Sequence, residues 1–94
     1  MKRVIVRYKV KEDKAQENIE YIRNVFSALE RSKPEGLRYA TFRLEDGVSF
    51  VHIASIETED GFNPLGELNE FTAFTEDIAS RCVEPPIASE VETT

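Results

Sequence analysis

The chain contains no tryptophan, one cysteine and one histidine. A lone Cys82 excludes an internal disulfide. With His52 as the only imidazole, far away in sequence, the usual zinc-ligand spacing is missing as well. No apolar run approaches the roughly 20 residues that a membrane-spanning helix needs. Met1 to Tyr8 mixes charge with apolar residues and does not build a signal-peptide block. These absences lead us to expect a cytoplasmic protein without metal or bound cofactor. Four glycines and four prolines are spread thinly over 94 residues. They form no phosphate-cradling loop, nucleophile elbow or dinucleotide fingerprint. There are no repeats and no linker, so residues 1–94 read as one domain.

Basic character is also scarce. The net charge is −6, and an acidic domain repels phosphate backbones, which argues against nucleic acid. The charge is uneven: residues 1–56 sum to +3, whereas residues 57–94 sum to −9 with Arg81 as their only cation. Lys2, Arg3, Arg7, Lys9 and Lys11 crowd the start. They read either as a solvated strand face or as an anion-binding patch, of which Arg7 is the best member.

What the chain does contain is clear periodicity. Lys2 to Val10 alternates, with Val4, Val6, Tyr8 and Val10 on one face, as a half-buried strand does. Asp13 and Gln16 have the spacing of a capping box. Ala15, Ile19, Ile22, Phe26 and Leu29 then form one helical stripe, ended by Pro34. Leu37 to Leu44 and Val48 to Ile56 are two strands around Asp46-Gly47, whose composition predicts a type I′ hairpin with both residues at positive φ. The register pairs Arg43 with Phe50, Phe42 with Val51, Thr41 with His52, Ala40 with Ile53 and Tyr39 with Ala54. Asn63-Pro64 reads as a cap followed by a first-turn proline. A helix with Leu68, Phe71, Phe74, Ile78 and Cys82 on its stripe follows, with Arg81 suiting its end. Pro85-Pro86 should stop it, leaving Ile87 to Val91 as a short edge strand.

The order predicts an α+β fold of the ferredoxin-like βαββαβ type: a four-stranded antiparallel sheet with two helices on one face. The helix side should carry Val4, Val6, Ala40, Phe42, Val51 and Ile53. The opposite face should carry Ile5, Arg7, Tyr39, Thr41, Arg43, Phe50, His52 and Ala54. That mixed face is too apolar for open water, so we expect a second copy to cover it and enclose a chamber.

Several segments also resemble a known group: Phe50-Val51-His52-Ile53, Asn63-Pro64-Leu65, the Leu68, Phe71, Phe74 stripe, and Arg81-Cys82-Val83-Glu84-Pro85-Pro86. Together they are similar to the dimeric α/β-barrel proteins of the antibiotic-biosynthesis-monooxygenase group, over residues 37–86. The resemblance implies a homodimer whose two sheets form one barrel. It also implies oxidation of anthrone- or quinol-like compounds without metal or flavin. Sites in that group use Asn, Trp and Arg, or Asn, Trp and His in haem-degrading members. The missing tryptophan means that neither set carries over whole.

His52 is the leading catalytic candidate, as a general base of near-neutral pKa in the expected chamber; the alternative is a hydrogen-bonded core histidine. Arg7 or Arg43 could hold a carboxylate or an enolate, with Tyr39, Thr41 and Phe50 against a small aromatic or carboxylate-bearing ligand. Cys82 reads as a small core hydrophobe. Two functions follow: a cofactor-independent monooxygenase or related enzyme acting on a small aromatic, quinol-like or enolisable substrate, or a non-catalytic dimeric module that binds a small ligand or fills its barrel with side chains.

Overall fold

The computed structural model describes residues 2–94. It has the expected ferredoxin-like order: β1 (Lys2–Val10), α1 (Ala15–Ser32), β2 (Leu37–Arg43), β3 (Ser49–Ile56), α2 (Asn69–Glu76), α3 (Ile78–Arg81) and β4 (Cys82–Val91). The four strands form one antiparallel sheet in the order β2-β3-β1-β4. Tyr8, Val10, Phe50 and Ala54 of the sheet pack with Ile22 and Val25 of α1, Phe74 of α2 and Leu65 to make the core. Among the described residues no helix is long and apolar enough to cross a membrane.

The hairpin register is as expected, from Tyr39 opposite Ala54 to Arg43 opposite Phe50. Its turn is different. Gly47 has φ 79°, but Asp46 does not share a positive φ. The Gly47 N–H instead bonds the Leu44 carbonyl at 3.0 Å. Asp46 Oδ1 accepts from the Val48 and Ser49 amides at 3.0 and 2.8 Å, and Oδ2 accepts from the Ser49 hydroxyl at 2.6 Å. The short acidic side chain stands in for backbone geometry. These bonds hold its carboxyl below the usual range.

Two helix ends also differ from the pattern. Asp13 lies within a 3-10 turn (Glu12–Lys14), and the residue capping α1 is Lys14, with no side-chain bond. The second helical stretch breaks at Asp77, so α3 is a single turn. β4 then begins at Cys82 and runs through Pro85-Pro86, which therefore do not end a helix but sit inside a ten-residue strand. Proline is tolerated there because β4 is an edge, and the pairing with β1 shifts between Arg7–Ile87 and Lys9–Glu84.

The face assignment needs a larger correction. Val6 pairs with His52, and Tyr8 with Phe50. Directly opposed residues share a face, so Val4, Val6 and Tyr8 share theirs with Phe50, His52 and Ala54, and through β2 with Tyr39, Thr41 and Arg43. Thus His52, Tyr39, Thr41, Phe50 and Arg43 lie on the helix side. Ala40, Phe42, Val51 and Ile53 join Ile5 and Arg7 on the outer face. The hairpin was read correctly within itself, but one residue out of phase with β1. Such a slip exchanges the two faces completely.

The end of α1 offers a test of backbone strain. Lys33 closes the helix in the left-handed region (φ 43°, ψ 58°), its N–H bonded to the Leu29 carbonyl. That conformation costs a residue with a Cβ on the order of 1 kcal/mol, and glycine nothing. Lys33→Gly should therefore raise stability by about 0.5 kcal/mol after the greater freedom of unfolded glycine is subtracted. The change would be read as a higher urea midpoint at unchanged slope.

Candidate functional site

Between the sheet and the 63–78 segment lies a cavity of about 310 Å³. Val4, Val6, Tyr8, Tyr39, His52 and Ala54 line it from the sheet; Asn63, Leu65, Phe71, Phe74, Thr75 and Ile78 line it from the other side, and Pro86 from β4. A wider hollow of about 430 Å³ beside the end of α1, around Phe26, Leu29, Lys33 and Tyr39, is more open and contains no histidine. The first cavity combines apolar walls with a few convergent polar groups, the usual character of a small-molecule site.

His52 is its polar focus, and it is only 4% exposed. The imidazole is clamped at both nitrogens: Nε2 lies 2.8 Å from the Tyr8 hydroxyl and Nδ1 lies 2.5 Å from the Tyr39 hydroxyl. Phe74 stacks against the ring, with centroids 5.3 Å apart. Behind Tyr8 the polar contacts continue. Asn18 Nδ2 donates to the Tyr8 oxygen at 2.9 Å, and Arg81 Nε donates to Asn18 Oδ1 at 3.1 Å. Arg81 and Asn18 have no measurable exposure. The guanidinium lies 4.3 Å from the Tyr21 ring centroid and also donates to the Phe74 carbonyl at 2.9 Å. Its nearest acid is Asp77, at 3.9 Å.

Burial dictates the protonation states. The charged form of each group loses its hydration, so His52 falls to about 4 and both tyrosines rise well above their usual range. For Tyr8, the Asn18 hydrogen bond and the Arg81 charge oppose this rise without cancelling it. His52 is therefore neutral at physiological pH and is not the near-neutral base expected from sequence. Both of its nitrogens are already engaged.

The other expected site residues are dispersed. Tyr39 lines the cavity together with His52. Phe50 is buried and stacks on Tyr8 with ring centroids 5.6 Å apart. Thr41 pairs with His52 across the sheet but does not line the cavity, and Arg43 is exposed at the end of β2. Arg7 is exposed on the outer face. Cys82 opens β4 half-buried, with its thiol pushed up by burial, which disfavours the reactive thiolate. Among the described residues no group of three His, Cys, Asp or Glu is placed to hold a metal ion.

Asn18 and Arg81 are members of the cluster that the pattern did not single out. Both left a trace. Asn18 interrupts the apolar stripe between Ala15 and Ile22, and Arg81 is the one cation of an otherwise acidic half.

Structural comparison agrees with the resemblance. A crystal structure described as an antibiotic biosynthesis monooxygenase superposes with a TM-score of 0.81 at 17% identity, covering 100% of this chain and 99% of that one. A protein from Nitrosomonas europaea provisionally given the same name has a TM-score of 0.79 at 20% identity, over 98% of this chain and 88% of that one. The fold is that of the antibiotic biosynthesis monooxygenases. Another Nitrosomonas europaea protein, of unknown function, matches at 0.75 and 15% identity over 98% of this chain and 87% of its own. The shared fold therefore extends beyond proteins with an assigned activity. Neither a family model nor a curated protein matches the sequence.

The His52 environment predicts a pH dependence. Its folded pKa, about 4, lies below the ordinary 6.5, so between these values the unfolded chain binds the extra proton. Stability is then full above pH 6.5 and is lost as pH falls toward 4, by about 3 kcal/mol at most. Urea unfolding of the wild type and His52→Gln at pH 7 and pH 5 should show a steeper loss in the wild type. Equal losses would mean that the imidazole is not held neutral by burial.

Proposed function

We propose that this protein binds a small aromatic, quinol-like or enolisable compound in the cavity between sheet and helices, and oxidises it with molecular oxygen without a bound cofactor. The observation that carries the binding step is the convergence of apolar walls on a few polar groups, among them the hydrogen-bonded pair Tyr39 and His52. The oxidation step is supported by the monooxygenase fold. An aromatic ring would rest against Phe71 and Phe74, and its oxygen would meet the Tyr39 hydroxyl. Loss of an activated proton to water leaves an electron-rich enolate. A methylene converted to a carbonyl then delivers four electrons, so that one O2 supplies the carbonyl oxygen and is otherwise reduced to one water. Tyr39 acts as the catalytic residue, touching the substrate oxygen, and His52 as the residue that positions it.

A second reading, binding without turnover, is favoured by one observation: both His52 nitrogens are occupied by tyrosines, which leaves the ring without a free lone pair. Oxygen uptake with anthrones and quinols separates the two. Turnover that falls about 10²-fold in Tyr39→Phe, the usual scale for losing one oxyanion donor, supports the enzyme. Saturable binding of the same compounds without oxygen uptake supports the second reading, and no binding removes both.

We further propose that the outer sheet face pairs with a second copy of the chain. Ile5, Val51 and Ile53 lie there between Phe42, 55% exposed, and Ile87, 64% exposed. Arg7 stands in the same row, between Val51 and Ile87, and an exposed, largely apolar face of this kind supports an interface. At about 25 cal/mol per Å², covering a few hundred Å² contributes several kcal/mol. Light scattering should give a dimer for the wild type and a monomer for Ile53→Glu, in which an unpaired charge enters the interface. A monomeric wild type at high concentration overturns the assembly.

A further inference from the structure

The donors and acceptors around His52 admit very little freedom, because one member has no choice. Arginine only donates. Arg81 Nε must therefore face the oxygen of the Asn18 amide, which turns the Asn18 nitrogen toward Tyr8. The Tyr8 oxygen thus accepts from Asn18, and its own proton has one available acceptor, His52 Nε2. Reversing that bond would leave a buried hydroxyl proton unpaired, at a cost on the order of 1–3 kcal/mol. A neutral imidazole whose Nε2 accepts carries its proton on Nδ1, where it is donated to the Tyr39 oxygen. Among the described residues no protein group accepts from Tyr39 in turn, and Tyr39 lines the cavity.

We infer that these hydrogen bonds run one way, from buried Arg81 through Asn18, Tyr8 and His52 to Tyr39, so that the cavity presents a hydroxyl donor and selects ligands with an acceptor oxygen, such as a ketone or quinone carbonyl. The ligand half of this inference rests on the cavity being the binding site proposed above; the direction of the chain stands without it. Successive donation in one sense also polarises each bond further. The Tyr39 proton is thereby made a better donor to a carbonyl on its way to an enolate. Asn18 and Arg81 act here as positioning residues, since neither lines the cavity.

The direction can be reversed by one nearly isosteric change. In Asn18→Asp a carboxylate accepts from both Arg81 and the Tyr8 hydroxyl. Tyr8 then no longer donates to Nε2, which takes the ring proton, and Tyr39 turns its hydroxyl inward to Nδ1. The nitrogen-15 spectrum of the full chain should show His52 protonated at Nδ1 in the wild type and in Tyr39→Phe, but at Nε2 in Asn18→Asp. Binding of 1-tetralone and of tetralin, which differ by one carbonyl, reads the cavity end. Tetralone should bind roughly three- to tenfold more tightly than tetralin to the wild type, the net worth of one hydrogen bond. Its carbonyl stretch should move to lower frequency on binding. Both effects should vanish in Tyr39→Phe and Asn18→Asp. A wild-type ring protonated at Nε2 overturns the inferred direction. The correct tautomer with equal binding of the two probes overturns the ligand selection alone. The correct tautomer with neither probe bound removes the cavity as the site, and ligand selection with it. If Asn18→Asp does not fold, the wild type and Tyr39→Phe still decide both points.

Discussion

The structure depends on a buried cation that is paired only loosely with an acid and held mainly by neutral partners. Arg81 is sealed beneath α1 and α2, 3.9 Å from its nearest carboxylate. A guanidinium in such a place needs partners for its protons and a way to spread its charge. Among the described residues Nη1 has no hydrogen-bond partner. Nε and Nη2 donate to the Asn18 amide and the Phe74 carbonyl, and the charge lies against the faces of Tyr21 and Phe74. Every one of these partners belongs to a helix. Arg81 therefore ties α1, α2 and the end of α3 together at one point, directly behind the sheet residues that carry the polar cluster.

That tie has a consequence for chemistry. Once the arginine fixes the amide, the amide constrains the tyrosine, and the tyrosine constrains the imidazole. The cluster acts as a single unit whose orientation is set at its far end. A histidine held this way behaves as a spacer of defined polarity, which matters more to a bound ligand than its intrinsic basicity. The apolar walls of the cavity strengthen the effect, since a low local dielectric magnifies each dipole that is correctly aimed.

The two faces of the sheet divide the work. The helix side carries the aromatic and polar cluster together with the cavity, whereas the outer side carries branched and aromatic hydrophobes with Arg7 set among them. An expected chamber between two sheets, lined by His52 and Arg7, does not fit this division, because those residues lie on opposite sides. The proposed assembly and the proposed site thereby become separate features: one face for a second copy, the other for a ligand.

Element order, the hairpin register and the ferredoxin-like class were all legible in the sequence, because each rests on local periodicity and local turn chemistry. Asp46-Gly47 placed the register even though its turn took another form, and the β1 alternation put Tyr8 with Val4 and Val6 from the start. What the sequence could not settle was the phase between β1 and the hairpin, since both faces of β3 are apolar enough to be buried. Only the pairing of Val6 with His52 decided it. The site was hidden for the same reason. Asn18, His52 and Arg81 are far apart along the chain, and the hydrogen bonds that give them meaning exist only after the helices close over the sheet.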